Sequence, residues 1–294
     1  MPLQTTSSPR FRNAVLTGAC GGLGQALARE LIAQGGQVAL LGLDSAVLAS
    51  LASLAPQRCA VYVLDVSDEQ AMQEVACDWI RHAGVPDLVI ANAGVAGGFD
   101  TVQSQDLAVL RRMLEINLMG PVITFQPFLQ ALKDQPDAGC ALVGVASIAG
   151  WRGAPGNGAY CASKGGLIRY LQSLRAELRG SRVRVHTVCP GYLRTPLTAG
   201  NTFVMPGLME PDDAARRLLA GVAKGRETIV LPRRIGWLSR LLGCLPEALH
   251  DRLLNGQPRK HRVGEPGATS IPGLEAGSAA SPRRPEQREP VAGR

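Results

Sequence analysis

The sequence predicts an α/β fold, a parallel sheet doubly wound with helices on both faces, within a single domain. Three observations predict it. Short apolar runs alternate with longer helical stretches along most of the chain, the pattern of repeated strand–helix–strand units. The first of these runs passes directly into a glycine-rich turn and a helix start. The chain has 294 residues and no internal repeat, a length that one α/β unit with short appendages can absorb. We divide it into a flexible N-terminus (1–11), a domain (12–254) whose last part, about 200–254, is an apolar helical cover, and a disordered tail (255–294).

Taken in order, Met1 to Phe11 is a loose, polar, proline-containing lead-in. Asn13 to Thr17 is the first strand, and it runs into T-G-A-C-G-G-L-G at Thr17 to Gly24. The helix after it carries Leu23, Leu27, Leu31 and Ile32 on one stripe and ends at Gly35-Gly36. Gly18, Gly22 and Gly24 let the backbone turn tightly and approach a pyrophosphate, whose charge is favoured at a helix N-terminus. Cys20 and Leu23 share that turn and count among the candidate cofactor contacts. Val38 to Leu41 is the second strand, followed by Gly42, Leu43 and Asp44. Asp44 either bonds the adenosine ribose or caps the next helix, and Leu43 is not basic where an arginine would accommodate a 2′-phosphate.

Ala60 to Leu64 is the third strand and ends at Asp65 and Val66. Asp65 either touches the adenine or belongs to the turn. Ser67 and Gln70 form a capping-box pattern for a helix to His82. Asp87 to Ala91 is the fourth strand, leading into Asn92, Ala93 and Gly94, a small-residue loop that lets a cofactor pass close to the backbone. A long helix from about Leu107 to Leu132 holds Asn117 and the Gly120-Pro121 pair, which is expected to kink it. Asn117 has an amide that is expensive to bury, so its role is a hydrogen-bonding one, structural or catalytic.

Cys140 to Ala146 is the fifth strand and delivers Ser147. Tyr160 to Leu178 is a helix with Leu167, Leu171, Leu174 and Leu178 on one stripe. Arg182 to Val188 is the sixth strand, and Pro190-Gly191 breaks it before Thr195, in the kind of strand-end loop where an open α/β sheet binds ligands. Phe203, Val204, Met205 and Leu208 then form either a substrate lid or a cover for the core. Pro211 opens a helix at its first position, which stops at Gly225, and Thr228 to Leu231 is the last strand. Ile235 to Leu254 carries Trp237, Leu238, Leu241, Leu242, Leu245 and Leu249, as a helical cover over the site, a partner surface or an interfacial membrane contact. From Asn255 onward Pro, Gly, Ala, Ser and charge predominate, a composition that does not build a core.

Composition narrows the function. With 46% hydrophobic and 19% charged residues the chain reads as globular and soluble. No apolar run reaches the roughly 18 to 20 residues that span a bilayer, and no signal-peptide core stands at the N-terminus, so the cytoplasm is the expected location. The seven cysteines are dispersed, without C-x-x-C pairs or histidine spacing, which argues for reduced thiols and no metal site. The formal charge of +7 could serve nucleic acid or an anionic membrane, but the arginines are spread and much of the excess sits in the tail. No nucleic-acid partner is therefore expected.

The chemistry concentrates between Ser147 and Lys164. Tyr160 and Lys164 lie four residues apart, on one face of a helix. An unperturbed phenol, with a pKa of roughly 10, carries protons poorly at neutral pH, and a neighbouring cation favours the phenolate. Tyr160 is accordingly the candidate acid/base, and the Ser147 hydroxyl can polarise a substrate carbonyl.

In order and approximate spacing, T-G-x-x-x-G-x-G at Thr17 to Gly24, Asp65, Asn92-Ala93-Gly94, Asn117, Ser147, Tyr160, Lys164 and P-G-x-x-x-T at Pro190 to Thr195 resemble the short-chain dehydrogenase/reductase family. The resemblance covers about Asn13 to Leu231 and implies a Rossmann-like parallel sheet of about seven strands. It implies a catalytic tetrad of Asn117, Ser147, Tyr160 and Lys164. Lys164 would also bind the nicotinamide ribose, Asn117 would hold a proton-relaying water, and Thr195 and the backbone near Val188 and Tyr192 would meet the carboxamide. The cofactor implied is NAD or NADP, with the balance toward NAD. The substrate implied is a small molecule, an alcohol or ketone on a medium to large skeleton, apolar by the segment Met209 to Ala215 and the apolar C-terminal piece beyond it. The assembly implied is a homodimer or homotetramer through the helices of Asn117 and Tyr160. His186 departs from the family, which has asparagine there. The competing readings are a dinucleotide sensor or assembly protein without turnover, and a peripheral membrane binder.

Overall fold

The computed structural model describes residues 10–133, 140–201, 203–236, 245–254, 256, 259–265 and 268–274. Its centre is a seven-stranded, all-parallel sheet in the order β3-β2-β1-β4-β5-β6-β7. The strands are β1 (Asn13–Leu16), β2 (Gln37–Gly42), β3 (Cys59–Val63), β4 (Leu88–Ala91), β5 (Cys140–Val145), β6 (Val183–Pro190) and β7 (Thr228–Leu231). Between them run α1 (Gly22–Ala33), α2 (Ser45–Ala52), α3 (Glu69–Ala83), α4 (Asp106–Leu114), α5 (Gly120–Lys133), α6 (Gly158–Glu177), a short α7 (Pro196–Ala199) and α8 (Pro211–Ala223), with α9 (Glu247–Leu254) after the sheet.

Alternation along each strand divides the core in two. Val15, Ala39 and Leu41 face a layer with Met72, Phe125, Phe128 and Leu167, contributed by α3, α5 and α6. Ala14, Leu16, Val38 and Leu40 face the other layer, with Leu27, Leu31, Leu48 and Leu218 from α1, α2 and α8. Burial on both faces accounts for the near-continuous apolar character of the strands. The order of connection reverses between β1 and β4, and the carboxyl ends of those two strands open the crevice where such sheets bind ligands.

Several local expectations give way. Phe11 belongs to the core and not to a loose lead-in: it is 8% exposed, because it is the lead-in's one aromatic and lies where β1 begins beneath α1. Asp68, not Ser67, caps α3 by accepting from Ala71 N at 2.9 Å. Ser67 is already committed to Asp65, through its backbone N at 2.9 Å and its hydroxyl at 2.7 Å. The long helix is interrupted before Gly120-Pro121, by a π-helical turn at Glu115–Met119, with Pro121 then sitting in the first turn of α5. Strand β6 continues through Pro190, whose missing N–H is tolerated at the strand's end.

The largest difference concerns the tail. Residues 259–265 and 268–274 pack back onto the domain, with Ile271 only 2% exposed and Arg262 clasping Asp106 through two hydrogen bonds of 2.9 Å. The composition lacks bulk, but one isoleucine, one valine and one arginine placed on prepared partners replace a continuous apolar stripe. The stretch Trp237 to Leu242 and residues 1–9 and 275–294, on which other expectations fall, lie outside the described residues.

Candidate active site

The glycine turn is built from the backbone outward. Gly18 has φ of 63°, a left-handed conformation that disfavours side chains, and a Cβ there would stand 2.6 Å from the Ala93 Cα. Thr17 and Asn92 lock the two loops together: the Asn92 amide donates to the carbonyls of Thr17 and Gly18 at 3.1 Å each, and Thr17 Oγ1 accepts from Asn92 N at 3.1 Å. Gly21 precedes α1 without a side-chain cap, so no side chain competes for the first helical amides. These amides and the helix dipole suit a phosphate.

A cavity of about 1520 Å³ runs from this turn along the strand ends to Ser147 and Tyr160. It gathers the candidate cofactor residues from separate parts of the chain: Gly18, Cys20, Gly22, Leu23 and Gly24; Leu43 and Asp44; Asp65 and Val66; Asn92, Ala93 and Gly94; and Pro190, Gly191 and Thr195. Tyr160 and Lys164 open onto the same cavity, so the phenol and the ammonium share one compartment. A cavity that joins a phosphate-suited turn to a tyrosine and a lysine fits a nicotinamide dinucleotide.

Charges in the site differ from the expectation that Lys164 makes Tyr160 acidic. Burial raises the Tyr160 phenol to about 12, while a hydrogen bond with Ser147 works in the opposite direction. Lys164 does not oppose that rise: it is 3% exposed, its Nζ donates to Val145 O at 2.9 Å, and burial lowers it to about 8. In the cofactor-free protein desolvation outweighs the cation, and the phenol keeps its proton at neutral pH. Ser147 Oγ accepts from Ala149 N at 3.2 Å and lies 3.4 Å from Pro190 O, so the end of β6 orients it.

Asn117 stands behind the cavity and not on its wall. Fully buried, it accepts from Val95 N at 2.8 Å and donates to Val95 O at 2.9 Å and Ser163 Oγ at 3.0 Å. Its side chain thus ties the loop after β4 to the helix that carries Tyr160. A Cβ on Gly94 would come within 3.1 Å of Lys164 Nζ and 3.2 Å of Asn117 Oδ1, so a side chain there would make those two groups give by a few tenths of an ångström.

Asp44 takes the capping alternative, its Oδ1 accepting from Ala46 N at 3.0 Å and Val47 N at 3.1 Å. Asp65 is held below the usual carboxylate range: partial burial works to raise it, but hydrogen bonds from Ser67 and Arg112 and the Arg112 charge outweigh this. His186 is buried in β6, with Nδ1 donating to Arg226 O at 2.7 Å; burial lowers its pKa and outweighs that bond, which works to raise it. Sequence reasoning missed Arg112 and Lys260 from the tail, and it did not foresee that the Tyr192 ring meets Phe203 in one wall. Only the apolar loop containing Phe203 gave a signal.

The fold and the site define a nicotinamide-dependent oxidoreductase. The model of the short chain dehydrogenase family matches residues 12–202, and the chain belongs to that family. It is 36% identical over 245 residues to an uncharacterized oxidoreductase of Myxococcus xanthus, covering 82% of this chain and 95% of that one. It is 33% identical over 221 residues to the cis-4-hydroxycyclohexanecarboxylate dehydrogenase of Sinomonas cyclohexanicum, covering 74% and 85%. Among solved structures, a short chain dehydrogenase of Burkholderia cenocepacia in complex with NADP is similar with a TM-score of 0.72 and 26% identity, over 85% of this chain and 99% of that one. A member from Burkholderia phymatum in complex with NAD has the same fold, with a TM-score of 0.72 at 24% identity over 86% and 98%. The chain is therefore an NAD(P)-dependent enzyme acting on CH–OH groups of small molecules. Among its described residues no helix is long and apolar enough to cross a membrane.

Proposed function

We propose that the protein is an NAD-linked dehydrogenase interconverting an alcohol and a ketone on a largely apolar skeleton, with Tyr160 as acid/base. The observation that carries this is the single cavity shared by the glycine turn, Ser147, Tyr160 and Lys164. When bound, the nicotinamide gives or takes the hydride. In the reducing direction Tyr160, protonated at neutral pH, donates to the substrate oxygen, and Ser147 holds that oxygen as charge develops on it. Lys164 orients the ribose from its seat on Val145 O. Asn117 supports this arrangement by holding the loop after β4 against α6, with any relayed water left to its backbone.

Apolar walls support the substrate class: Trp151, Tyr192, Phe203 and Leu254 line the end of the cavity near Tyr160, and Tyr192 meets Phe203 edge-on at 6.1 Å. The lean to NAD rests on the end of β2, where Gly42, Leu43 and Asp44 offer no cation to a 2′-phosphate. Exposed Leu107 and Met119, in and beside α4, support assembly into a homodimer or homotetramer, and a cytoplasmic location belongs to the same proposal. The deciding experiment is separate titration with NADH and NADPH, followed by turnover of a panel of apolar alcohols and ketones. Tighter binding of NADH with turnover of secondary alcohols is expected; absence of binding by either cofactor removes the reading.

A further inference from the structure

Residues 259–265 and 268–274 lie at the mouth of the cavity, the first group toward the Tyr160 end and the second toward the adenosine end. At its start, the Lys260 and His261 carbonyls press on Gly98, whose Cβ would lie 2.5 and 2.4 Å from them, and Gly98 N donates to His261 O at 3.0 Å. Arg259 lies against Gly156, with its Cβ 3.0 Å from where a Gly156 Cβ would stand, and Gly156 O accepts from Phe99 N at 3.0 Å. Lys260 is thus seated between the loop after β4 and the loop that leads into the Tyr160 helix. At the far end Pro272 O accepts from Arg112 Nε at 2.8 Å, and Arg112 in turn pairs with Asp65. Thr269, Ser270 and Pro272 line the cavity there.

The charge distribution along the cavity is uneven. Its acidic wall residues, Asp44 and Asp65, stand at the adenosine end, where each is already committed to a cap or to Arg112. Lys260 reaches the other end, and among the described residues its ammonium has neither a hydrogen bond nor an ion pair. We propose that Lys260 binds a carboxylate, or another anionic group, carried by an otherwise apolar substrate, making the C-terminal strap a specificity element of the active site. This rests on the dehydrogenase reading and adds the substrate's charge to it.

The half-buried setting supports the assignment. Desolvation lowers Lys260 from the ordinary lysine range with no carboxylate to offset it, and an arriving anion restores what burial has withdrawn. An anion could also come from the dinucleotide, whose phosphates suit the Gly18 to Gly24 turn. The Lys260 carbonyl against Gly98, with the neighbouring Arg259 against Gly156, places the residue at the opposite end.

The test uses the full chain saturated with NADH, titrated with decanoate and with decanamide, an apolar acid and its neutral counterpart. The wild type should bind decanoate at least tenfold more tightly than decanamide. Lys260→Met should lose at least tenfold for decanoate, with decanamide and NADH affinity unchanged and no fall in melting temperature. Lys260→Arg should recover most of the loss. Equal binding of the two probes by the wild type, failure to bind either, or equal loss for both in the variant would overturn the assignment. So would weakened NADH binding by Lys260→Met, which would put the ammonium on the cofactor. Failure of the wild type to bind NADH at all would instead strike the dehydrogenase reading.

Discussion

Arg262 grips Asp106 with both ends of its guanidinium, at 2.9 Å from Nε and 2.9 Å from Nη2, across 156 residues of chain. Asp106 is 1% exposed and also accepts from Asp100 N at 2.8 Å, so the strap docks on a carboxylate already held at the head of α4. The Arg262 hydrogen bonds lower the Asp106 pKa beyond what burial raises it. A depressed carboxyl stabilises the fold above its unfolded pKa and loses that contribution as pH falls through the folded value. Arg262→Ala should therefore lower the melting temperature at pH 7, and the gap from wild type should narrow below about pH 4, where an unfolded aspartate takes up its proton. A gap that is the same at pH 7 and pH 3 would show that the pair's charge contributes nothing.

Lys164 gives the opposite sign. Its folded value of about 8 lies below the ordinary 10.5, so between those two pH values the unfolded chain binds the extra proton. Stability of the cofactor-free protein should accordingly rise with pH across that window, and below pH 8 the full cost of burying the charge is present. The difference corresponds to ~3 kcal/mol, offset by ~1 kcal/mol from the bond to Val145 O that a neutral side chain would forfeit. Lys164→Met should melt higher than wild type at pH 7, lose that advantage by about pH 10.5, and turn over no substrate. A variant that melts lower at pH 7 would contradict the assignment of a costly buried cation.

Tyr160→Phe isolates the proton transfer from binding. The variant keeps the ring that packs in the cavity and removes the hydroxyl that Ser147 contacts. We expect kcat to fall by about 10²- to 10⁴-fold, the usual contribution of a positioned acid/base, while NADH affinity changes by less than about twofold, a difference of under ~0.5 kcal/mol. Single-turnover kinetics and a fluorescence titration separate the two quantities. Retained kcat would remove Tyr160 from the chemistry.

The sequence carried the scaffold well because strands buried on both faces announce themselves as apolar runs, and the glycines at 18 and 24 stand where backbone meets backbone, with Gly22 where the Thr195 side chain presses in. Ser147, Tyr160 and Lys164 were legible because the sheet order brings the ends of β5 and β6 beside the start of α6. Two features were not legible. Whether Lys164 lowers the phenol depends on the balance between Coulomb attraction and desolvation, which spacing along a helix does not reveal. The strap was hidden because its anchors are single residues: Ile271 and Val263 close on Gly97 and Arg262 on Asp106, partners more than 150 positions away. Composition averages over such anchors, and periodicity cannot register them.

The end of β2 yields the last prediction. By resemblance to the family, the position where members that prefer NAD carry aspartate falls nearer Gly42 than Asp44, yet a Cβ on Gly42 would stand 2.5 Å from Cys20 Sγ. That thiol is held by the Asp44 backbone, lying 3.4 Å from its N and 3.5 Å from its O. Gly42→Asp alone should therefore distort the glycine turn and weaken NADH and NADPH together. Cys20→Ala with Gly42→Asp clears the space, so the double variant should regain NADH affinity while NADPH stays weak, because the new carboxylate repels a 2′-phosphate. Leu43, 51% exposed at the adjoining position, can take a cation without such a clash, and Leu43→Arg should improve NADPH binding by about tenfold, or ~1.4 kcal/mol. Isothermal titrations with both cofactors decide the matter. If the single Gly42→Asp variant binds NADH as well as the double one, Cys20 does not govern access to that position.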